Sequence, residues 1–399
     1  MQALQNEKAI KYLAVTVTFM VCVSRLSMAV GQIANGVALL LGMYLWYKNK
    51  NTVSISEEAK GYIKAYGIFV ILTLPSVFFS EKPMMGIKEF LNLWFWHYVV
   101  FIVIIAFIKR RDYLVNMLMV FLYTTTVDCL LTAPQSLLNL YLGQYARGWG
   151  FGGNPLYLAG IMCMLLPVAL VIVMDAGFEK KLKKAASCAI AGIVVGLVFN
   201  KSRSAWVTEL LVIPPAIYNY IKQHKKYLII FGLVLAGMAA YMASNPDYKV
   251  LVRSITNINA PGSNRERVLV WKSAAHMIQD HPVTGIGLGQ FREKYSQYQS
   301  NETQVTVVHV HSNYLHVAAE TGLVGLAGLL FFMGYFLVTS LNNYRKYRDP
   351  YDRLIFIVFL SNICMMGLFD YTLMMSSGTR IMWFLLAILL QMKAAEKQQ

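Results

Sequence analysis

Charge is what this sequence has least of. Only 14% of its 399 residues are Asp, Glu, Lys or Arg, while 57% are hydrophobic. A soluble domain carries about a quarter charged residues, so the composition excludes a soluble enzyme and fits a membrane protein. Cysteine is also scarce: Cys22, Cys129, Cys163, Cys188 and Cys364 all fall in apolar runs. Their spacing fits no metal motif and none lies in the one long polar segment, which argues against a disulfide framework or a thiolate zinc site. No small-residue cleavage site follows the apolar run after Lys8 and Lys11, so that run reads as a first span and not a removed signal. Acidic residues number 20 against 36 basic ones, a net charge of +16. The basic excess forms no patch with interleaved aromatics, so no nucleic-acid partner is expected. It falls in short clusters between apolar runs, as membrane topology requires.

What the chain does have is a succession of apolar runs. A span needs roughly 17–25 residues. By that measure helices are predicted near 11–27, 31–47, 61–80, 88–108, 113–132, 155–175, 184–199, 204–220, 226–243, 314–340, 353–369 and 378–393. The fold class is therefore all-α, with about twelve transmembrane helices in a single integral membrane domain over 1–399. With the N-terminus inside, the inner loops and tails hold 21 Lys and Arg, including Lys109-Arg110-Arg111 and Lys180-Lys181. The outer segments hold seven, once the long loop 244–313 is set aside as carrying little topological weight. Both termini are thus expected in the cytoplasm and the long loop outside.

That loop has internal order. Ser263-Asn264-Arg265-Glu266 has the S-x-x-E form of a capping box. Apolar residues at helical spacing follow over Val268–Ile278, until Asp280-His281-Pro282 ends them. Gly285-Ile-Gly287-Leu-Gly289 is a backbone-permissive turn; without a surrounding βαβ unit it is no dinucleotide site. A last helix is expected to start at about Ser312.

Chemistry-bearing residues collect at this outer face. His309, His311 and His316 cluster, with Glu320 one helical turn beyond His316 on the same face. A helix N-terminus disfavours imidazolium, so a neutral His311 could act as a general base. The plainer reading is that these histidines are interfacial residues satisfied by hydrogen bonds. A zinc site lacks a third ligand at a known spacing, so no metal is expected. Arg203, Arg267 and Arg147 sit in outer turns or at a helix start, and a guanidinium fork suits phosphate oxygens. The competing reading is that they snorkel to lipid headgroups. Glycines around Arg147 permit close approach of a ligand. Arg265 and Trp271 flank Arg267 and are further candidates for substrate contact. Asp128, Glu209 and Asp370 stand at or near the outer ends of spans, where each could pair with an arginine. His97 reads as a packed, hydrogen-bonded residue.

Assembled in order, these features resemble the O-antigen ligase/polymerase family of bacterial envelope enzymes. A Ser202-Arg-Ser-Ala-Trp206 turn precedes the long loop. Arg267-x-x-x-Trp271 follows, then His281-Pro-x-x-Gly285-x-Gly287-x-Gly289-x-Phe291. His311-Ser312, nine residues and Gly322-x-x-Gly325 complete the pattern. The motif region spans 200–330. The resemblance implies a GT-C-like membrane glycosyltransferase in the bacterial inner membrane, its active site facing the periplasm. It implies an undecaprenyl-diphosphate-linked glycan as donor and a lipid A–core acceptor, with membrane lipid around it and no cofactor. Catalytic roles then fall on His311, Arg267 and Arg203; substrate contacts are expected of Arg147, Arg265, His309, His316, Glu320 and Trp271. Rival readings are an O-antigen or capsule polymerase, a protein O-oligosaccharyltransferase, and a transporter or flippase of lipid-linked sugars. The last would place polar residues near the bilayer midplane; here they gather at the outer ends.

Overall fold

The computed structural model describes residues 2–50, 53–223, 225–244, 248–249, 251, 263–302, 307–373 and 376–397. Among them there is no strand, and the chain is an assembly of helices. In order these are α1 Gln2–Val23, α2 Met28–Lys48, α3 Glu57–Phe78, α4 Pro83–Phe107 and α5 Arg111–Tyr141. Then come α6 Pro155–Met174, α7 Lys180–Asn200, α8 Arg203–Gln223, α9 Lys225–Ser244, α10 Ser263–Asp280 and α11 Phe291–Tyr298. The last are α12 Asn313–Tyr347, α13 Pro350–Phe369 and α14 Ser376–Glu396.

Each of the twelve predicted segments is a helix. Nine among the described residues are long and apolar enough to cross a membrane; α1, α8 and α9 are outside that set. Their outward faces carry large apolar side chains such as Ile33, Leu40, Ile71 and Val338, all well exposed. Lipid, not protein, would cover such surfaces. α14 is apolar nearly all round and lies enclosed by its neighbours, as such a helix must.

Small residues let the helices close up, since hydrocarbon gives them no hydrophobic drive to associate. α7 lies against α5 with Gly192 over Thr126 and Gly196 over Cys129, where an added Cβ would come within about 3 Å of the partner. Gly328 of α12 lies as closely over Phe69 and Leu72 of α3. Aromatic rings fill the centre, with Trp383 of α14 packed edge-on to Tyr66, Tyr98 and Phe101. A buried ion pair, Arg25 to Asp128 at 2.7 Å, ties the end of α1 to α5. This is the arginine pairing expected of Asp128. Glu209 behaves differently: both its oxygens are buried and make no hydrogen bond among the described residues. The same holds for the two ring nitrogens of His97, which is packed but not hydrogen-bonded.

Two helices contain a π turn, Leu91–Trp96 in α4 and Leu360–Met366 in α13. α12 is interrupted at Gly322 (φ 68°, ψ −172°). The Ala319 and Glu320 carbonyls beside this interruption accept from Ile286 N and Gly287 N at 2.9 and 3.1 Å. Leu323 N returns a bond to Pro282 O at 2.8 Å. The glycine turn is therefore docked into the break, and glycine is required on both sides. A Cβ on Gly322 would lie 2.1 Å from Val283 O, and one on Gly285 2.4 Å from the Glu320 carbonyl carbon. Around this joint a small second core forms from Val270, Ala274, Met277, Phe291, Tyr295 and Val310. It fixes α10 and α11 over the start of α12.

Candidate active site

A cavity of about 720 Å³ opens between the 145–156 loop, the α7–α8 turn, α10 and the segment before α12. Arg147, Arg203, Arg267, Trp271 and His311 all line it, although they come from four separate stretches of sequence. Lys201, Tyr145, Glu266 and Phe369 also line it, none of them expected at the site from the sequence.

The arginines are held by local structure. Asn200 ends α7, and its amide donates to the carbonyls of Gly148 and Pro155 at 3.1 and 3.0 Å. Gly148 N bonds Phe199 O, and Arg147 Nε donates to Asn200 O at 2.8 Å. The glycine-containing loop and the α7–α8 turn are thereby sewn together, which brings Arg147 beside Arg203. Lys201 takes a left-handed conformation (φ 53°) in that turn, with its ammonium about 5 Å from the Tyr145 and Tyr248 rings. Arg267 projects from the first turn of α10; the side chain of Ser263, the expected cap, lies outside the described residues. Burial lowers the pKa of Arg267; Asp370 opposes this and the charge of Arg203 adds to it. Burial lowers Arg147 as well, and Arg203 and Arg267 push it the same way despite Tyr145. The three guanidiniums are close enough to repel one another, an arrangement that favours an anion among them.

His311 stands opposite. It precedes Ser312, whose hydroxyl caps α12 by accepting from Leu315 N. Its backbone is left-handed (φ 56°), uncommon for a non-glycine residue. Nδ1 of His311 and Nε2 of His309 each lie 3.2 Å from the same oxygen, Oδ1 of Asp370. Asp370 is fully buried just past the end of α13. Burial alone would push its carboxyl up. The hydrogen bonds from His309 and His311 more than offset that and hold it well below the usual carboxylate range. Asp370 was expected to pair with an arginine; it pairs with the two histidines instead, with Arg267 near enough to be felt. An acid immediately after an apolar span, in a chain with clustered outer histidines, was the signal that could have found it.

The other candidates lie off the cavity wall. Arg265 is partly exposed and pairs with Glu302 at 3.0 Å. His316 is buried, stacked on Tyr371 with ring centroids 3.8 Å apart. Its Nδ1 accepts from Val310 N at 3.3 Å and its Nε2 faces Glu320 at 3.4 Å. Glu320, also buried, accepts from Gly289 N and Phe291 N at 2.9 and 3.0 Å. The i,i+4 pair thus exists, but it faces inward, joining the glycine turn to α12. Neither side chain reaches the cavity.

His309, His311 and Asp370 present ligand atoms within 4.8 Å of one another and could hold a metal ion. The donor set is chemically suitable, two imidazoles and a carboxylate. Its electrostatic setting weakens such a site, because His311 lines the cavity together with Arg147, Lys201, Arg203 and Arg267. A cation would have to approach four cationic side chains.

The fold and this cavity define a polytopic all-α membrane protein with a cationic, histidine-containing site at one end of its helices. Residues 186–330 match the family model described as O-antigen ligase, which supports the resemblance to the O-antigen ligase/polymerase family. The matched segment contains Arg203, Arg267 and His311, while Arg147 and Asp370 fall outside it. No curated protein matches the chain.

Proposed function

We propose that the cavity is the active site of a membrane glycosyltransferase of O-antigen ligase type. It moves a glycan from an undecaprenyl-diphosphate donor to a lipid A–core acceptor at the periplasmic face of the inner membrane. The observation that carries this reading is the convergence of Arg147, Arg203 and Arg267 with His311 on one cavity. A diphosphate leaving group needs positive charge fixed in place before it departs, and preorganised guanidiniums supply that. An acceptor hydroxyl needs a base, and an imidazole oriented by a buried carboxylate is a suitable one.

The chemistry balances without a further reactant. The acceptor oxygen forms a bond to the anomeric carbon while the bond from that carbon to the diphosphate oxygen breaks. Its electron pair leaves with the diphosphate, where the arginines receive the charge. The hydroxyl proton passes to Nε2 of His311, whose Nδ1–H is directed to Asp370. One displacement inverts the anomeric centre. Arg203 and Arg267 serve the leaving group, and Arg147 holds the donor. His309 shares Oδ1 of Asp370 with His311. Trp271 lines the cavity beside Arg267, while Arg265, His316 and Glu320 hold the surrounding loop.

The same geometry serves a polymerase, whose acceptor is a second lipid-linked repeat. Purified protein offered an undecaprenyl-diphosphate glycan together with both acceptors decides the matter. Product on the lipid A–core is expected; product on the second repeat makes it a polymerase. Movement of the donor across the bilayer without any transfer would make the chain a transporter.

A further inference from the structure

We propose that Trp271 and His316 are positioning residues for His311; the proposal rests on the reading of His311 as the base. His311 has a left-handed backbone, uncommon for any residue but glycine, so its neighbours must hold it there. What is held is the residue before it. The Val310 N–H donates to Nδ1 of His316 at 3.3 Å, and the Val310 carbonyl accepts from Nε1 of Trp271 at 3.0 Å. The Val310 side chain is completely buried in the second core. Both backbone polar atoms and the side chain of one residue are therefore fixed, by three different parts of the chain. His309 and His311, on either side of it, both reach Oδ1 of Asp370.

The clamp extends further. Because Nδ1 of His316 accepts, the hydrogen of the neutral ring lies on Nε2, toward Glu320. Glu320 in turn accepts from Gly289 N and Phe291 N. Polar contacts thus run from the start of α11 to Glu320 by hydrogen bonds, from Glu320 to His316 across 3.4 Å, and from His316 to Val310 and the turn that aims His311. Neither the burial of His316 nor its stacking on Tyr371 leaves it access to a substrate. Its contribution to catalysis must pass through the backbone it holds.

The test uses the full chain in lipid nanodiscs with the undecaprenyl-diphosphate donor, comparing W271F, H316L, H316N and H316Q with wild type. W271F keeps an aromatic ring and removes the donor to Val310. It should lower kcat about tenfold or more, with donor KM within about twofold, since a misplacement near 1 Å can cost about 10²-fold. H316L should lose more. H316N places an amide oxygen near the position of Nδ1 and should restore kcat to within about threefold of wild type, whereas H316Q shifts the acceptor outward and should not. Equal kcat in H316N and H316Q, or a loss confined to KM, overturns the proposal, and this comparison decides it even if H316L fails to fold. Full activity in H311A overturns the base assignment. Inactive H311A beside wild-type kcat in W271F and H316Q overturns the positioning role alone.

Discussion

His311 and Asp370 meet across 59 residues of chain, Nδ1 to Oδ1 at 3.2 Å. One stands at the start of α12 and the other just beyond α13, so the pair exists only when those helices are packed. Asn313 makes that packing specific. Its amide donates to Ile363 O at 3.1 Å and to the Thr372 hydroxyl at 2.9 Å, and its carbonyl accepts from Leu373 N. The histidine segment and the acid are thereby locked to one another two residues away from the pair itself. An imidazole held by a buried carboxylate keeps one orientation and one tautomer, which is what a base aimed at a single hydroxyl needs.

His311→Ala should reduce glycan transfer by roughly 10²–10⁴-fold, the usual worth of a positioned general base. Asp370→Asn should lose a large part of the same factor, because its amide can offer Nδ1 a donor and favour the wrong tautomer. Accumulation in the membrane should be unchanged in the His311 variant. Steady-state transfer assays on purified protein measure both, and wild-type kcat in either variant contradicts the assignment.

Arg267→Ala should cost about 10²–10³-fold in kcat, the loss seen when one preorganised group facing developing charge is removed. Arg267→Lys should recover only part of it, since an ammonium cannot offer the bidentate fork. The same order is expected at Arg203. At Arg265, which pairs with Glu302 away from the cavity, Ala should leave kcat within about twofold. Transfer rates across the four variants check the ranking, and a loss at Arg265 equal to that at Arg267 would contradict the placement of the charge.

Much of this architecture was legible in the sequence, and for identifiable reasons. Twelve apolar segments appeared as helices because length and apolarity are enough to mark a helix in a membrane protein. The stop at Asp280-His281-Pro282 and the helix start at Ser312 fell where capping chemistry put them. Arg147, Arg203, Arg267 and His311 could be nominated singly as polar groups at outer ends; their convergence is a tertiary fact that no local pattern encodes. The break at Gly322 was invisible as a break, since a lone glycine is tolerated in many helices. Its cause lies some forty residues upstream, in the turn that fills the gap. His316 and Glu320 were correctly placed on one helix face, but which way that face points depends on α10 and α11. Asp370 was noticed and given the wrong partner, because charge favours arginine while the packing of α12 on α13 delivers histidine.

Gly322→Ala should be among the most damaging single substitutions. The residue sits at φ 68° with Val283 O where the new methyl would go. The backbone strain costs about 1–3 kcal/mol before any clash is counted. The α12 break and the docked glycine turn should separate, loosening the Glu320 contacts and with them the His311 segment. Thermal unfolding in detergent should show a lowered midpoint, and transfer should fall together with it. Gly334→Ala, further along α12 with open space where the methyl would go, should leave the midpoint closer to wild type; equal effects at the two glycines would argue that the docked turn matters little.

The last prediction concerns metal. His309, His311 and Asp370 could in principle bind a divalent ion, and doing so would occupy Nδ1 of His311 and replace its hydrogen bond to the carboxylate. If the histidine works as a base, chelation should leave transfer within about twofold of the untreated rate, and added zinc should inhibit by competing for these ligands. His309→Ala should then weaken the zinc inhibition while preserving most of the activity, because it removes one ligand and leaves the His311–Asp370 contact in place. A different chemistry predicts the reverse order: activity lost on chelation, restored by zinc, and abolished in His309→Ala. Transfer rates across a zinc and chelator series, in wild type and His309→Ala, separate the two, since the same three side chains cannot serve as an oriented base and as a resident metal centre at once.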